Sequence, residues 1–166
     1  MKNRRSCRAF SNKEVPFELV EQICEAGTYA PTGMGKQSPL IVAVTNKELR
    51  DKLSRINAEI MGTDNDPFYG GPVVLTVLAD KNRPTYLYDG SLVMGNLLNA
   101  AEALGLDGIW IHRAKETFET EEGKQILKDL GIEGDYEGIG NCVIGYRAGD
   151  KNIAHPRKEN YIYYVK

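Results

Sequence analysis

The sequence predicts one mixed α/β domain. Its length of 166 residues suits a single domain. Amphipathic stretches long enough for helices alternate along it with short β-branched apolar runs that suit buried strands. There is no internal repeat and no low-complexity linker to divide it. A globular chain of this size buries about 70% of its unfolded surface, so it needs no disulfide or metal staple.

The elements follow in order. A basic arm precedes Pro16, which suits the first turn of a helix. Leu19, Val20, Ile23, Cys24 and Gly27 then share one helical face. That helix should stop near Ala30-Pro31, since the residue before proline avoids the helical region. Residues 32–39 form a glycine-rich loop, and Leu40 to Val44 reads as a strand. Lys47 to Met61 is an amphipathic helix, and residues 62–72 make a polar loop expected to be mobile. Val73 to Leu78 is a second buried strand. Tyr86 to Leu104 carries apolar and small residues nearly all round, which places it at the centre or at an interface. Gly108 to Ile111 is a short strand, Glu119 to Leu130 a charged surface helix stopped by Gly131, and Gly140 to Tyr146 a further strand. After a polar excursion, residues 161–165 read as a last strand. At about 3.3 Å per residue that excursion can reach a neighbouring subunit, so the strand either closes its own sheet or is swapped to a partner.

Composition excludes several classes. A formal net charge of −2 argues against nucleic acid as the main partner. No apolar run approaches the roughly 18 residues of a membrane span, and the basic N-terminus has no apolar stretch behind it to make a signal peptide. The three cysteines, Cys7, Cys24 and Cys142, have no CxxC spacing, and a reducing cytoplasm is their simplest home. The basic neighbours of Cys7 favour a lowered pKa, yet no local base makes it a catalytic thiol, and all three read as packing or incidental residues. With His112 and His155 as the only histidines, no metal site is expected.

Most short motifs in the chain lack the spacing or context their chemistry needs. The loop at 33–38 fails as a phosphate-binding P-loop, because Gln37 follows Lys36 and the loop leads from a helix to a strand. Gly138, Gly140 and Gly145 lack dinucleotide-fingerprint spacing and read as structural. Asp64-Asn65-Asp66 lacks the twelfth-position glutamate of a calcium loop, since Leu75 stands there. Arg4-Arg5-Ser6-Cys7-Arg8 is different: three guanidinium groups and a hydroxyl within five residues can surround a phosphate dianion. Pro156-Arg157-Lys158 matters only if the fold brings it beside them. Trp110-Ile111-His112 ends a strand, where open α/β sheets present ligands.

Taken in order, these pieces resemble the nitroreductase family of flavoproteins over nearly the whole chain. Arg4-Arg5-Ser6-x-Arg8-x-Phe10 is similar to the family's RRSxRxF signature, and Ala30-Pro31-Thr32-Gly33 with Gln37 to its APSSxNxQ loop. Asp89 to Gly105, with Gly95-Asn96-Leu97 and Ala103-Leu104-Gly105-Leu106, resembles its central helix. Trp110-Ile111, Gly145-Tyr146 and Pro156-Arg157 complete the order. The resemblance implies an α+β three-layer α/β/α sandwich whose mostly antiparallel sheet is flanked by helices. It also implies a homodimer with one non-covalent FMN per site, built from both chains, and NAD(P)H as co-substrate.

By position in that pattern, Arg4, Ser6 and Arg157 would hold the phosphate, with Arg5 beside them. Arg8 would reach the ribityl chain and the N1–C2 edge. Pro31, Thr32 and Gly33 would approach the isoalloxazine from the partner subunit, Gln37 would also belong to the cofactor site, and Asn57 would reach the pyrimidine edge. Ile111, His112 and Arg113 would place a backbone N–H near N5. No side chain is expected to be catalytic, because the flavin carries the redox step. The chain departs from the pattern at Gly35, which replaces an asparagine, at Ser38-Pro39, which lacks an aromatic residue, and at His112-Arg113, where small residues are usual. The expected reaction is a two-electron ping-pong transfer from NAD(P)H to a nitroaromatic, quinone or similar acceptor. A specialised flavin chemistry such as reductive dehalogenation, and a non-catalytic FMN-binding module, remain as alternatives.

Overall fold

The structure, a computed structural model, describes residues 1–166. Its elements in chain order are α1 (Phe17–Thr28), β1 (Pro39–Val44), α2 (Lys47–Met61), β2 (Val73–Asp80), α3 (Tyr86–Ala103), β3 (Asp107–Ile111), α4 (Ala114–Glu119), α5 (Glu121–Asp129) and β4 (Tyr136–Gly145). The four strands form one antiparallel sheet in the order β1-β2-β4-β3. No helix is long and apolar enough to cross a membrane.

Period-two alternation on the central strands makes the sheet two-sided. Val73, Leu75, Val77 and Ala79 of β2, with Cys142 and Ile144 of β4, face α1 and α3. Val74 and Leu78, with Val143 and the β3 residues Ile109 and Ile111, face the opposite layer, where Leu53, Ile56, Phe118 and Ile126 come from α2, α4 and α5. The result is the expected three-layer α/β/α sandwich. One polar pair sits inside it: the Thr76 hydroxyl donates to Asn141 Oδ1 at 2.7 Å. The pairing satisfies groups that would otherwise be costly to bury.

Local signals set most boundaries. Asn46 caps α2 by accepting the Leu49 N–H at 2.8 Å, and Gly62 ends that helix in the left-handed region. Three expectations need correction. The charged surface helix starts at Glu121 rather than Glu119, because Thr120 has extended backbone (φ −69°, ψ 157°) and caps it by accepting the Gly123 N–H, and a short helix the sequence did not suggest, α4, precedes it. The loop at 62–72 is pinned rather than mobile. Asp66 accepts from Arg50 Nη2, the Ser54 hydroxyl and the Phe68 and Gly70 N–H groups. Finally, residues 161–165 do not close their own sheet. They pair with none of the four strands and lie exposed.

Candidate functional site

The N-terminal arm is stitched to one end of the sheet. Ser6 bridges Gly108 at the start of β3, and Phe10 bridges Arg147 just past β4. The Cys7 N–H donates to the Gly108 carbonyl at 3.2 Å, and the Ser11 N–H to that of Tyr146 at 2.8 Å. Arg147 locks the junction: its Nη2 donates to Asp107 Oδ1 at 2.8 Å, and Asp107 holds the guanidinium pKa above its ordinary value. Cys7 lies fully buried beneath this seam. Burial pushes its thiol pKa up, against the lowering its basic neighbours suggest. The two other thiols are likewise pushed up by burial, Cys24 to about 11.

This stitching brings the chain ends together. Residues 152–157 return alongside the arm and enclose a cleft of about 940 Å³. Arg4, Arg5, Ser6, Arg8 and Arg157 all line it, as does Lys2, and no lining residue is acidic. Five cations thus share one open cleft without an internal counter-ion. The Arg5 Nε–H is buried with no acceptor, although its Nη1 donates to the carbonyls of Lys2 and Arg4. An orphaned buried donor is costly, and an anionic oxygen is the acceptor such a site calls for.

The far end of β3 forms a second locus. A five-residue strand spans about 13 Å between its end residues, so this end stands that far from the Ser6–Gly108 bridge. Ile111 is buried, His112 exposed, and Arg113 turns the chain in a left-handed conformation (φ 70°, ψ 16°). That conformation costs a non-glycine residue about 1–2 kcal/mol. Asn57, expected at a pyrimidine edge, is instead fully buried and holds this turn. Its Nδ2 donates to the His112 carbonyl at 2.8 Å, and its Oδ1 accepts from Arg113 Nε at 3.0 Å. Thr117 Oγ1 donates to the Arg113 carbonyl at 2.7 Å. Gly138 on β4 lets the strand backbone pass under the turn, where a Cβ would run into the Ala114 carbonyl.

The loop after α1 forms a third locus, away from the arginines. Asp89, buried in α3, accepts from the Gly33 N–H at 3.0 Å, from the Ser38 hydroxyl at 2.8 Å and from the Thr85 hydroxyl at 3.0 Å. Thr32 Oγ1 accepts the Gln37 N–H. Pro31, Thr32, Gly33 and Gln37 do not line the basic cleft. Thr32 and Gln37 line a separate cavity of about 310 Å³ with Cys24, Leu40 and Val93. The structure therefore unites five of the thirteen expected residues and leaves the other eight at two further places. Sequence reasoning missed Asp89 as the organiser of the 32–38 loop and the Arg147–Asp107 lock. Neither shows a local pattern, because Gly33 and Ser38 lie 56 and 51 positions from Asp89 and Asp107 lies 40 from Arg147.

The model of the nitroreductase family matches residues 1–146. The chain belongs to the nitroreductase family. Among solved structures, the nitroreductase with bound FMN from Bacteroides fragilis is 27% identical. The match covers 99% of this chain and 96% of that one at a TM-score of 0.90. The nitroreductase with bound FMN from Desulfitobacterium hafniense is 26% identical, covering 99% and 95% at a TM-score of 0.86. Among curated relatives, a protein of Methanothermobacter thermautotrophicus named NADH dehydrogenase/NAD(P)H nitroreductase is 28% identical over 66% of this chain, which spans 57% of that protein's length. This nitroreductase-family chain keeps the arm, the loop after α1 and the β3 turn inside the matched residues. Arg157 and the exposed tail lie beyond residue 146.

Proposed function

We propose that the chain is an FMN-dependent oxidoreductase, active as a homodimer, that takes a hydride from NAD(P)H and passes two electrons to a nitroaromatic, quinone or similar acceptor. One observation carries the reading: the arginines of both chain ends meet in a single acid-free cleft at the start of β3. The donor set fits a flavin phosphate, since guanidinium groups donate bidentately to phosphate oxygens and the buried Arg5 Nε–H lacks an acceptor. The curated relative named for NAD(P)H nitroreduction supports the redox assignment.

Bound FMN supplies hydride acceptance and return at its N5. The chain's own groups bind and orient it. Arg4, Ser6 and Arg157 hold the phosphate, with Arg5 beside them. Arg8 places positive charge at the N1–C2 edge, where reduction adds negative charge. The backbone at Ile111, His112 and Arg113 would offer an N–H toward N5, with Asn57 holding that turn in place. Pro31, Thr32, Gly33 and Gln37 complete the site across the dimer, which agrees with their separation from the arginines within one chain. Phe17 and Tyr29 at the two ends of α1, Leu87, Tyr88 and Leu92 of α3, and the tail from Tyr161 to Val165 are all exposed. An exposed apolar surface of that kind suits a permanent interface. Three free thiols fit a cytoplasmic location.

The test is direct. The purified protein should be yellow, release FMN rather than FAD on heating, be bleached by NADH or NADPH, and run as a dimer in light scattering. Product analysis on nitro against halogenated acceptors separates nitroreduction from dehalogenation, and a flavin that no pyridine nucleotide reduces indicates a binding module. Deleting residues 160–166 should weaken both dimer and flavin binding. A colourless protein that fails to take up added FMN overturns the reading.

A further inference from the structure

The nine arginines sort by their partners. Arg50, Arg55, Arg83 and Arg147 each pair with a carboxylate. Arg4, Arg5, Arg8 and Arg157 line the basic cleft. Arg113 belongs to neither group. It is half-buried and makes no ion pair, and the single bond of its side chain is Nε to Asn57 Oδ1. Its two terminal nitrogens are unbonded and open to solvent, since neither is among the buried atoms without partners.

The turn that carries this side chain is costly and firmly held. Its left-handed backbone is one that glycine or asparagine adopts with less strain. Asn57 braces it from α2, Thr117 from α4, and the close pass of Gly138 from β4. Backbone strain over-determined by its surroundings points to a functional constraint. The Asn57 contact also fixes the guanidinium before any ligand arrives, so less conformational freedom is lost on binding.

We propose that Arg113 determines specificity at the flavin site by receiving an anionic oxygen group of the molecule that lies over the flavin, most directly the carboxylate of an acidic aromatic electron acceptor. The inference rests on the reading above, because it places the β3 turn beside the flavin ring. Arg113 is the cation outside the phosphate cleft that no carboxylate of the chain neutralises and that a buried amide aims. A phosphate of the pyridine nucleotide offers the same chemistry, and the experiment separates the two sources.

Flavin content is measured first, so a chain that binds no FMN defeats the parent reading before this one is tested. Steady-state kinetics of the holoenzyme are then compared for wild type, Arg113→Gln and Arg113→Gly, with 4-nitrobenzoate, uncharged nitrobenzene, NADH and NADPH. The glycine variant removes the charge while relieving the backbone, which keeps the fold available if the glutamine variant is unstable. The expected result is a KM for 4-nitrobenzoate raised at least tenfold more than the KM for nitrobenzene or for either nucleotide, whatever common change the altered turn brings to all four. A rise confined to a nucleotide KM upholds Arg113 as the anion receptor and names the nucleotide phosphate as its ligand. Unchanged constants for all four substrates overturn the proposal. So does an equal loss of kcat with charged and uncharged acceptors, which assigns Arg113 to the turn alone.

Discussion

The Asp66 carboxylate meets its complement within the chain, whereas around Arg4 and Arg157 five cations share a cleft with no acid. The two regions use the same residue types and differ in what completes them. The Asp66 carboxylate gathers Arg50, Ser54 and two backbone N–H groups, and that loop is finished on folding. The cleft leaves a buried Arg5 donor without an acceptor. Paired charge tells of architecture, and unpaired charge held in place tells of a ligand still to come.

The sharpest way to break this contrast is at Arg157. A charge-assisted contact to phosphate is worth roughly 1.5–3 kcal/mol, so Arg157→Ala should weaken FMN binding by about ten- to more than a hundredfold. Arg4→Ala should act similarly, and the double variant should fall short of the sum because both serve one phosphate. Fluorescence titration with wild-type affinity in Arg157→Ala would reduce the C-terminal cluster to surface charge.

Asp66→Asn should do the opposite, lowering stability by about 1–3 kcal/mol while leaving FMN affinity intact. The pH dependence follows from its environment. Burial alone would raise the Asp66 pKa, but the bonds from Arg50, Ser54, Gly70 and Phe68 outweigh it and hold the carboxyl below its usual range. A lowered folded pKa contributes stability above the unfolded value, about 3.9, and loses it as pH falls through the lower folded value. Chemical denaturation of both proteins should therefore give a difference that is constant near neutrality and shrinks below about pH 4. A variant that loses flavin as readily as stability would show that the two regions are one unit.

A subtler change is expected at Arg8, which lines the cleft but is assigned to the ring edge. Arg8→Ala should lower the flavin's reduction potential more than its affinity, as read by a redox titration beside the binding curve. Equal affinity loss to Arg157→Ala would place Arg8 on the phosphate instead. The smallest effect concerns Cys24, which belongs to neither region. Burial pushes its pKa to about 11 against an ordinary 9.0, a gap of about two units, which means about a hundredfold less thiolate near pH 8. Alkylation of Cys24 by iodoacetamide should be slower by about that factor than in the urea-unfolded chain, and labelling at the unfolded rate would show the helix open.

Local patterning exposed most elements before the structure was known. The β2 run Val73–Leu78, the amphipathic stretch Lys47–Met61 and the apolar helix from Tyr86 appear within a residue or two, because side-chain period reports which face is buried. The six-residue α4 escaped notice because fewer than two helical turns give too short a stretch for a period to show. The cluster at Arg4 to Arg8 was legible as a concentration of positive charge, and the order of family motifs pointed to the family. The contact that Asn57 makes was not legible, since its helix position says nothing about the His112 carbonyl 55 positions away.

By itself, then, the sequence determined most of the helices and strands and the chemical character of the arm, all of which depend on neighbours within a few residues. Tertiary structure decided which distant pieces meet. The strand order β1-β2-β4-β3 and the bridges Ser6–Gly108 and Phe10–Arg147 bring Arg157 to Arg4 across 153 positions. The same packing sets Asn57 beneath Arg113 and leaves residues 161–165 without a strand partner in their own chain. Non-local pairing depends on how all the buried faces are covered together, and no single stretch of sequence encodes that.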